Sequence, residues 1–282
     1  MPNHATLRLL KVVDKGDTTI MLRKLLFTLT TLLLPLIGEA RIIETAHIAD
    51  AIQFIDEETW FLVDLDNTMF EAKQALGHAN WFYDEMQKRL QKGMSREEAI
   101  RDSYPGWIKT QQVCPVKPLE EDFVPSLIAL QNRGIVIMGL THRQPSVAQS
   151  TVHQVASLGF DFLKTAPSKD SFVVPATSPT LYLQGILFVS DYNKKGDIFL
   201  PFLSMIKQSP KKVVFIDDKR KNVEELEQAL SKYGIEYIGV YYTAIEHAKP
   251  VYSREVAEFQ YKFLDKIMSN EAATLLMEHG LE

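Results

Sequence analysis

The feature that most constrains the fold is the alternation of short apolar runs with longer segments of helical spacing. The apolar runs that predict strands lie at 60–64, 135–140, 212–217 and 236–242. Several of the segments between them end at a glycine, the residue that most often follows the last turn of a helix. Short continuous apolar runs are typical of buried parallel strands. The pattern therefore predicts an α/β fold with a mainly parallel central sheet flanked by helices.

Apolar residues at helical spacing predict eight helices along the chain. The predicted helices occupy 47–56, 78–93, 95–104, 118–134, 145–159, 195–207, 219–234 and 254–268. The third begins with a capping box, formed by Ser95 and by Glu98 three residues later. Pro201 is expected to bend its helix or to restart it. The stretch 181–190 predicts a hairpin of two short strands.

The N-terminal part of the chain has the pattern of a secretory signal. Arg23 and Lys24 precede an apolar run of 14 residues at 25–38. Gly38 and Ala40 are small residues with the spacing of a signal-peptidase site. The run is short for a helix that must cross ~30 Å of hydrocarbon. These features predict a cleaved signal peptide, with a membrane anchor or a buried helix as the alternatives.

Cleavage is expected near Ala40, which divides the chain into a leader at 1–40 and an exported domain at 41–282. The product would be periplasmic or secreted, with no stable membrane span in its mature form. Residues 1–20 fit no targeting pattern, and Met21 is an alternative start. Loss of the leader removes five basic and three acidic residues, so the net charge changes from −5 to −7. Because no basic block is present, we expect no nucleic acid polymer as a partner.

Polar residues follow three of the predicted strands. They are Asp64 and Asp66 after the first, Thr141, His142 and Arg143 after the second, Asp217 and Asp218 after the third, with Lys194 and Lys195 at a helix start between the last two. If the strands are parallel neighbours, these side chains meet at one edge of the sheet, where sites lie in such folds. Crowded carboxylates need a cation, and oxygen ligands suit Mg²⁺. The sequence thus predicts a Mg²⁺ site at this edge.

The same residues could act on a phosphate ester. One carboxylate could attack phosphorus and form an aspartyl-phosphate. A second could protonate the leaving group and later activate water. A hydroxyl and an ammonium would hold the phosphoryl oxygens, and Thr141 and Lys195 are the candidates. A small phosphorylated substrate is therefore expected.

Four motifs of this chain resemble, in the same order, those of the haloacid dehalogenase superfamily. They are DLDNT at 64–68, Thr141 at a strand end, Lys195, and DDKRKN at 217–222. The resemblance implies a Rossmann-like fold and Mg²⁺-dependent phosphatase activity. With a signal sequence, a small helical insert at about 72–117 and a hairpin, the chain is similar to exported acid phosphatases of this superfamily. It is also similar to a poorly characterised family of bacterial exported proteins with the same layout.

The resemblance implies a role for each catalytic or metal-binding residue. Asp64 would be the nucleophile and Asp66 the acid/base, which would need a raised pKa to act as an acid. Lys195 would steady Asp64 and the phosphoryl group. Mg²⁺ would be held by Asp64, by the backbone carbonyl of Asp66 and by Asp217, with Asp218 as a second ligand or a partner through water.

The substrate-binding residues are less sharply defined. The resemblance implies that Thr141 binds the phosphoryl group. His142 and Arg143 are further candidates, but a local structural role for His142 and a solvated position for Arg143 are open alternatives. Lys194 is the alternative to Lys195 as the phosphate-binding lysine.

Together these features predict an exported Mg²⁺-dependent phosphomonoesterase that acts through an aspartyl-phosphate. The alternative is a non-catalytic exported binding or host-interaction module that retains the fold. Asp66 disfavours a dehalogenase, because true dehalogenases of this superfamily lack an acid/base at that position. Trp81, Phe82 and Tyr83 have the spacing of core residues in a helix, and a stacking wall for an aromatic substrate is the alternative.

Overall fold

The computed structural model describes residues 41–249 and 251–280 of the chain. The predicted signal peptide, its cleavage site near Ala40 and the alternative start at Met21 lie outside these residues. Among the helices of the described ranges, none combines the length and the apolar character that a membrane crossing requires.

The described residues form a large central sheet and a small second sheet. The strands are β1 (Arg41–Thr45), β2 (Thr59–Val63), β3 (Phe70–Ala72), β4 (Val116–Pro118), β5 (Val136–Thr141), β6 (Leu181–Leu183), β7 (Ile186–Phe188), β8 (Lys212–Asp217) and β9 (Glu236–Tyr242). The central sheet has seven strands in the order β1-β9-β8-β2-β5-β7-β6. All neighbouring pairs are parallel except β6 and β7, which form the predicted hairpin.

Helices connect these strands. They are α1 (Ile48–Ile52), α2 (Ala79–Gln91), α3 (Arg96–Val113), α4 (Phe123–Asn132), α5 (Ala148–Ser157), α6 (Lys195–Ile206), α7 (Arg220–Leu230), α8 (Ala244–His247), α9 (Arg254–Lys262) and α10 (Asn270–Glu278). Short 3-10 turns lie at Ala75–Gly77, Pro145–Val147, Phe162–Lys164, Ser231–Tyr233 and Leu264–Lys266. The predicted fold class is confirmed, since the molecule has a Rossmann-like, mostly parallel sheet flanked by helices.

Strand β2 lies at the centre of the sheet and is buried on both faces. Phe61 and Val63 belong to one apolar cluster, and Trp60 and Leu62 belong to the other. Because successive side chains of a strand point to opposite faces, a strand covered on both sides must be apolar throughout. This is the physical origin of the continuous apolar run that predicted the strand.

Two helices continue through a proline at which a helix often ends. Helix α3 begins at the predicted capping box but extends past Pro105 to Val113. Helix α6 also contains Pro201 and does not restart there. In both helices, an aromatic side chain that follows the proline in the sequence is buried, Trp107 in α3 and Phe202 in α6. This burial offsets the backbone hydrogen bond that the proline removes.

The segment between β3 and β4 forms a helical insert. The two strands pair antiparallel, with Phe70 opposite Pro118, and so bring the ends of the segment together. Helices α2 and α3 lie between them and have an apolar cluster of their own, which includes Trp81 and Trp107. The insert is thus a separately packed unit that leaves the sheet next to the end of β2.

The C-terminal helices pack against this insert. Ala257 of α9 is fully buried in the apolar cluster of the insert. The side chain of Gln260 accepts a hydrogen bond from the backbone N–H of Leu76 at 3.1 Å, and Asn270 accepts one from that of Ala75 at 2.9 Å. The insert is therefore completed by residues far along the chain.

Candidate active site

The loop after β2 is held in a tight turn. Asn67 adopts a left-handed conformation with φ of 61°, which asparagine tolerates better than most residues. The hydroxyl of Thr68 donates to Oδ2 of Asp64 at 3.2 Å and accepts from the backbone N–H of Asp218 at 3.0 Å. Thr68 thereby joins the ends of β2 and β8.

A buried lysine lies between two carboxylates. The side chain of Lys195 is 1% exposed, and its Nζ is 2.5 Å from Oδ1 of Asp64 and 2.6 Å from Oδ2 of Asp217. A buried charge is costly unless it is paired and hydrogen-bonded in this way. The side chain of Lys194 is 60% exposed and lies 3.7 Å from Glu225. Of the two candidate lysines, the structure brings Lys195 into the cluster.

Asp217 is fully buried, and both of its carboxylate oxygens accept hydrogen bonds. Its Oδ1 accepts from the backbone N–H of Lys219 at 2.8 Å and from Nδ2 of Asn222 at 2.9 Å. The second oxygen receives Lys195 and a further contact from Asn222 at 3.0 Å. Asp218 instead faces the pocket above this layer. The two neighbouring aspartates therefore occupy different positions relative to a ligand.

The donor set suits a divalent cation. Carboxylate oxygens of Asp64, Asp217 and Asp218 lie within 4.8 Å of one another. Burial, together with the charges of Asp217 and Asp64, raises the pKa of Asp218 above its usual range. Burial is also the main reason why the pKa of Asp64 is raised, despite Lys195. Three carboxylates crowded in this way form a donor set that can bind a metal ion.

The carboxylate of Asp66 belongs to a different arrangement. Arg143 binds it with two hydrogen bonds, from Nε and Nη2, each 2.7 Å long. Burial would raise the pKa of Asp66, but the charge and hydrogen bonds of Arg143 outweigh it and hold the pKa below its usual range. This direction is opposite to the one that a role as an acid requires. Any contact of Asp66 with a metal is left to its backbone carbonyl.

Arg143 is buried rather than solvated. Its Nη1 donates to the hydroxyl of Thr151 at 2.9 Å and to the side-chain oxygen of Gln154 at 2.6 Å. With two further donors on Asp66, four of its five N–H groups are engaged. The guanidinium is thus occupied by the protein itself.

The hydrogen bonds continue from Arg143 into the insert. Gln154 donates through its side-chain amide to the backbone oxygen of Cys114 at 3.0 Å and to Gln111 at 3.3 Å. Gln111 and Gln154 are both buried. A continuous polar chain therefore connects Asp66 to the helix α3 of the insert.

The end of β5 brings two more predicted residues to the pocket. Oγ1 of Thr141 accepts from the backbone N–H of Arg143 at 3.1 Å. Nε2 of His142 lies 3.1 Å from the backbone oxygen of Asn193, to which it donates. Burial, and then the charge of Lys195, lowers the pKa of His142 to about 3. His142 is therefore neutral. Its hydrogen bond to Asn193 is a local structural contact of the kind that the sequence analysis left open as an alternative.

These residues surround a small pocket that the insert covers. The pocket leaves about 80 Å³ for the centres of water molecules. The insert contributes to its lining Ala79, Phe82, Tyr83, Tyr104 and Trp107. Phe82 and Tyr83 thus reach the pocket, whereas Trp81 is buried and packs on Tyr261 with ring centroids 5.1 Å apart.

Two charged residues of the pocket, Lys219 and Asp191, were not predicted as site residues. The Nζ atom of Lys219 reaches the hydroxyl of Tyr83 at 3.4 Å, and both residues line the pocket. The sequence feature that could have identified Lys219 as a pocket residue is its position directly after Asp218. Asp191 also lines the pocket, from the loop between β7 and α6. No pattern in the sequence distinguishes it from other acidic loop residues.

Comparisons with known proteins give a family and several relatives. The family model described as "Protein of unknown function (DUF2608)" matches residues 42–274. A "Putative outer membrane protein" of Chlamydia trachomatis serovar D is 31% identical over 264 residues, covering 92% of this chain and 99% of that protein. One of the same description from Chlamydia pneumoniae is 32% identical over 235 residues, covering 83% and 88%.

More distant similarity extends to another genus and to a solved structure. An uncharacterized protein of Rickettsia prowazekii is 24% identical over 257 residues, which cover 85% of this chain and 91% of that protein. A haloacid dehalogenase-like hydrolase family protein from Streptococcus pneumoniae matches with a TM-score of 0.37 and 15% identity. That match covers 67% of this chain and 95% of the other.

Proposed function

Since the chain belongs to the DUF2608 family of proteins of unknown function, we propose a function from its own site. The protein is a Mg²⁺-dependent phosphomonoesterase of the haloacid dehalogenase type, and it acts through an aspartyl-phosphate. The observation that carries the proposal is the buried Lys195, which joins the carboxylates of Asp64 and Asp217 next to the paired Asp66. A structural ion pair alone would not require a second, separately held carboxylate at the same pocket.

In the first step, a carboxylate oxygen of Asp64 attacks the phosphorus atom and the bond to the ester oxygen breaks. Lys195 and the hydroxyl of Thr141 hold the phosphoryl oxygens and offset their charge. Asp66 gives a proton to the departing oxygen, so the alcohol leaves neutral. The phosphoryl group next to Asp66 raises the pKa of this carboxyl and counteracts Arg143, because neighbouring negative charges favour the protonated form.

In the second step, water attacks the phosphorus atom of the aspartyl-phosphate. Asp66, now ionised, takes a proton from this water, and the bond between phosphorus and Asp64 breaks. Inorganic phosphate leaves, and both aspartates return to their initial states. Arg143 keeps the carboxylate of Asp66 in one orientation throughout, because it binds both oxygens.

The metal completes the charge balance of the site. Asp64, Asp217 and Asp218, with the backbone carbonyl of Asp66, would hold Mg²⁺. When bound, the ion supplies positive charge that favours the ionised carboxylates and offsets the charge of the phosphoryl group. The aromatic residues of the insert limit the access of water to the same pocket.

The proposed enzyme is exported and acts in the periplasm or outside the cell on a small phosphorylated substrate. The secretory pattern before Arg41 supports this location. The names of the chlamydial relatives, which refer to the outer membrane, are consistent with it. In the same proposal, the mature protein has no stable membrane span and no nucleic acid polymer as a partner.

The test is hydrolysis of a panel of phosphate esters, including p-nitrophenyl phosphate, with Mg²⁺ and with a chelator. Asp64→Asn should abolish turnover while the circular dichroism spectrum is unchanged. Asp197→Asn, an exposed acidic residue in the first turn of α6, is the matched control and should retain activity. Full activity of Asp64→Asn contradicts the assignment. Absence of turnover by the unaltered protein across the panel favours the non-catalytic binding module instead.

A further inference from the structure

A wider groove adjoins the pocket and is lined by residues of the insert, of α7 and of the loop between β7 and α6. This outer groove leaves about 440 Å³ for the centres of water molecules. The two cavities share the side chains of Phe82, Tyr83, His142, Asp191, Lys219 and Asn222. The pocket at Asp64 and the outer groove are therefore adjacent.

The two cavities differ in size, so the phosphoryl group and the leaving group of one phosphate ester would occupy different cavities. By the same measure, the inner pocket has about 80 Å³ and the outer groove about 440 Å³. The inner pocket is lined by Asp64 and Thr141, the proposed nucleophile and phosphoryl-binding hydroxyl, so the phosphoryl group belongs there. The rest of the ester then lies in the outer groove, and the lining of this groove determines which leaving groups are accepted.

Aromatic rings are exposed along the groove. Tyr83 of α2 is 43% exposed, and Tyr192 of the loop between β7 and α6 is 49% exposed. Phe82 is fixed beside them by edge-on packing against Tyr104, with ring centroids 5.7 Å apart. Exposed aromatic side chains next to a site offer flat apolar surfaces that stack on the ring of a ligand.

Basic side chains outnumber acidic ones in the lining of the groove, although the protein as a whole is acidic. Its lining contains four basic side chains, Arg96, Lys194, Lys219 and Lys221, and two acidic ones, Asp191 and Glu225. Glu225 lies 3.7 Å from Lys194 and 3.8 Å from Lys221, so it offsets these two only loosely. The net charge of the whole chain is −5. A local reversal of charge in an acidic protein attracts an anionic ligand to that place.

We propose, building on the proposed function, that the outer groove binds an aromatic leaving group that carries a second anionic group. The ring stacks on Tyr83 and Tyr192, and the anion lies near Arg96 and Lys219. The substrate class is therefore that of phosphate esters of aromatic alcohols with an additional carboxylate or phosphate, rather than esters of simple aliphatic alcohols.

The charge requirement can be tested with phosphonates, which bind without being hydrolysed. The binding of 4-carboxybenzylphosphonate and of its neutral match, 4-carbamoylbenzylphosphonate, is measured by titration calorimetry with Mg²⁺ present. The carboxylate should bind about fivefold more tightly, as for a partly exposed ion pair. Added salt should reduce the difference. A probe with a second phosphonate in place of the carboxylate shows which of the two anions is preferred.

Variants assign the effect to the groove. Arg96→Gln should reduce the preference for the carboxylate to about twofold or less, because one cation of the lining is lost. Lys92→Gln, an exposed lysine at the end of α2 outside the groove, is the matched control and should keep the full preference. Equal binding of the two probes by the unaltered protein, or no binding of either, overturns the inference.

The aromatic requirement has its own comparison. Benzylphosphonate should bind more tightly than cyclohexylmethylphosphonate, and Tyr83→Leu should remove most of this difference. Equal affinities for these two probes contradict the stacking role. Because all of these probes are bound and not hydrolysed, a protein that shows the preferences but turns over no ester refutes the proposed function and leaves the groove assignment in place.

Discussion

At the scale of single residues, the pairing of Asp66 with Arg143 is the least expected feature of the site. The sequence placed both residues among the candidates but gave no reason to connect them. In the structure, Arg143 binds both oxygens of Asp66 and is itself held by Thr151 and Gln154. The proposed acid/base is thus oriented by a residue that was expected to bind substrate or to be solvated.

Replacement of Arg143 by lysine tests this positioning role. Lysine keeps the charge but cannot bind two carboxylate oxygens in a planar fork. We expect kcat to fall at least tenfold, with a smaller change in KM, because the proton transfer depends on the orientation of Asp66. Steady-state kinetics provide the measurement. Arg133→Lys, at the exposed end of α4, should behave as the unaltered protein, and an unchanged kcat in Arg143→Lys would exclude the role.

Binding of Mg²⁺ should be visible in the stability of the protein without any substrate. A cation that binds only the folded state at 100 times its dissociation constant stabilises that state by about 2.7 kcal/mol. We expect a higher melting temperature with Mg²⁺, and a clearly smaller shift for Asp218→Asn, because Asp218 faces the pocket. Asp170→Asn, an exposed acidic residue, serves as the control. A melting temperature that is independent of Mg²⁺ would contradict the metal site.

At the scale of secondary structure elements, the close approach of α6 and α7 positions Lys195. Gly196 follows this lysine, and a Cβ atom on Gly196 would lie 2.5 Å from the Cβ of Ala229 on α7. No flexible side chain is available to move, since both atoms are attached directly to the backbone. The glycine therefore permits the helix contact that places Lys195 beside Asn222 and Asp217.

Gly196→Ala should weaken this contact. We expect a loss of about 1–3 kcal/mol in the free energy of unfolding, because the added methyl group forces the two helices apart. Urea denaturation provides the measurement. Ser204→Ala, an exposed substitution on the same helix, is expected to change the stability by less than about 0.5 kcal/mol. Equal stabilities of the two variants would show that α6 and α7 adjust without cost.

At the scale of the whole molecule, the insert and the C-terminal helices depend on each other. Gln260 is fully buried and accepts a hydrogen bond from the backbone of Leu76 in the insert. Its amide also donates to the backbone oxygen of Met268 at 3.0 Å. The cover of the pocket is thus stabilised by a segment that follows the last strand of the sheet.

Gln260→Ala should loosen the insert more than the sheet. The N–H of Leu76 would lose its acceptor inside the protein, at a cost of about 1–3 kcal/mol. Hydrogen–deuterium exchange should therefore become faster in α2 and α3, while β2 and β8 keep their protection. Gln228→Ala, on the exposed face of α7, is the matched control. Uniform acceleration of exchange in all elements would argue against a separate cooperative unit.

The strands that are buried on both faces were the most predictable part of the fold. The apolar runs at 212–217 and 236–242 coincide with β8 and β9, because the interior positions of strands covered on both faces must be apolar. Strand β1 was not predicted, since it lies at the edge of the sheet and is only partly buried. Strands β3 and β4 were missed because three residues carry too little pattern. Helix α10 was not foreseen as an element separate from α9.

The sequence by itself determined which residues meet at the site, because the ends of parallel strands converge at one edge of a sheet. It identified Asp64, Lys195 and Asp217 from their places after or between strands. Only the tertiary structure decided which charges are paired, since a pairing depends on distances and burial that spacing along the chain does not define. The tertiary structure pairs Arg143 with Asp66 and brings Lys219 to Tyr83 at the pocket. Both contacts join elements that are distant in the sequence, so spacing along the chain does not reveal them.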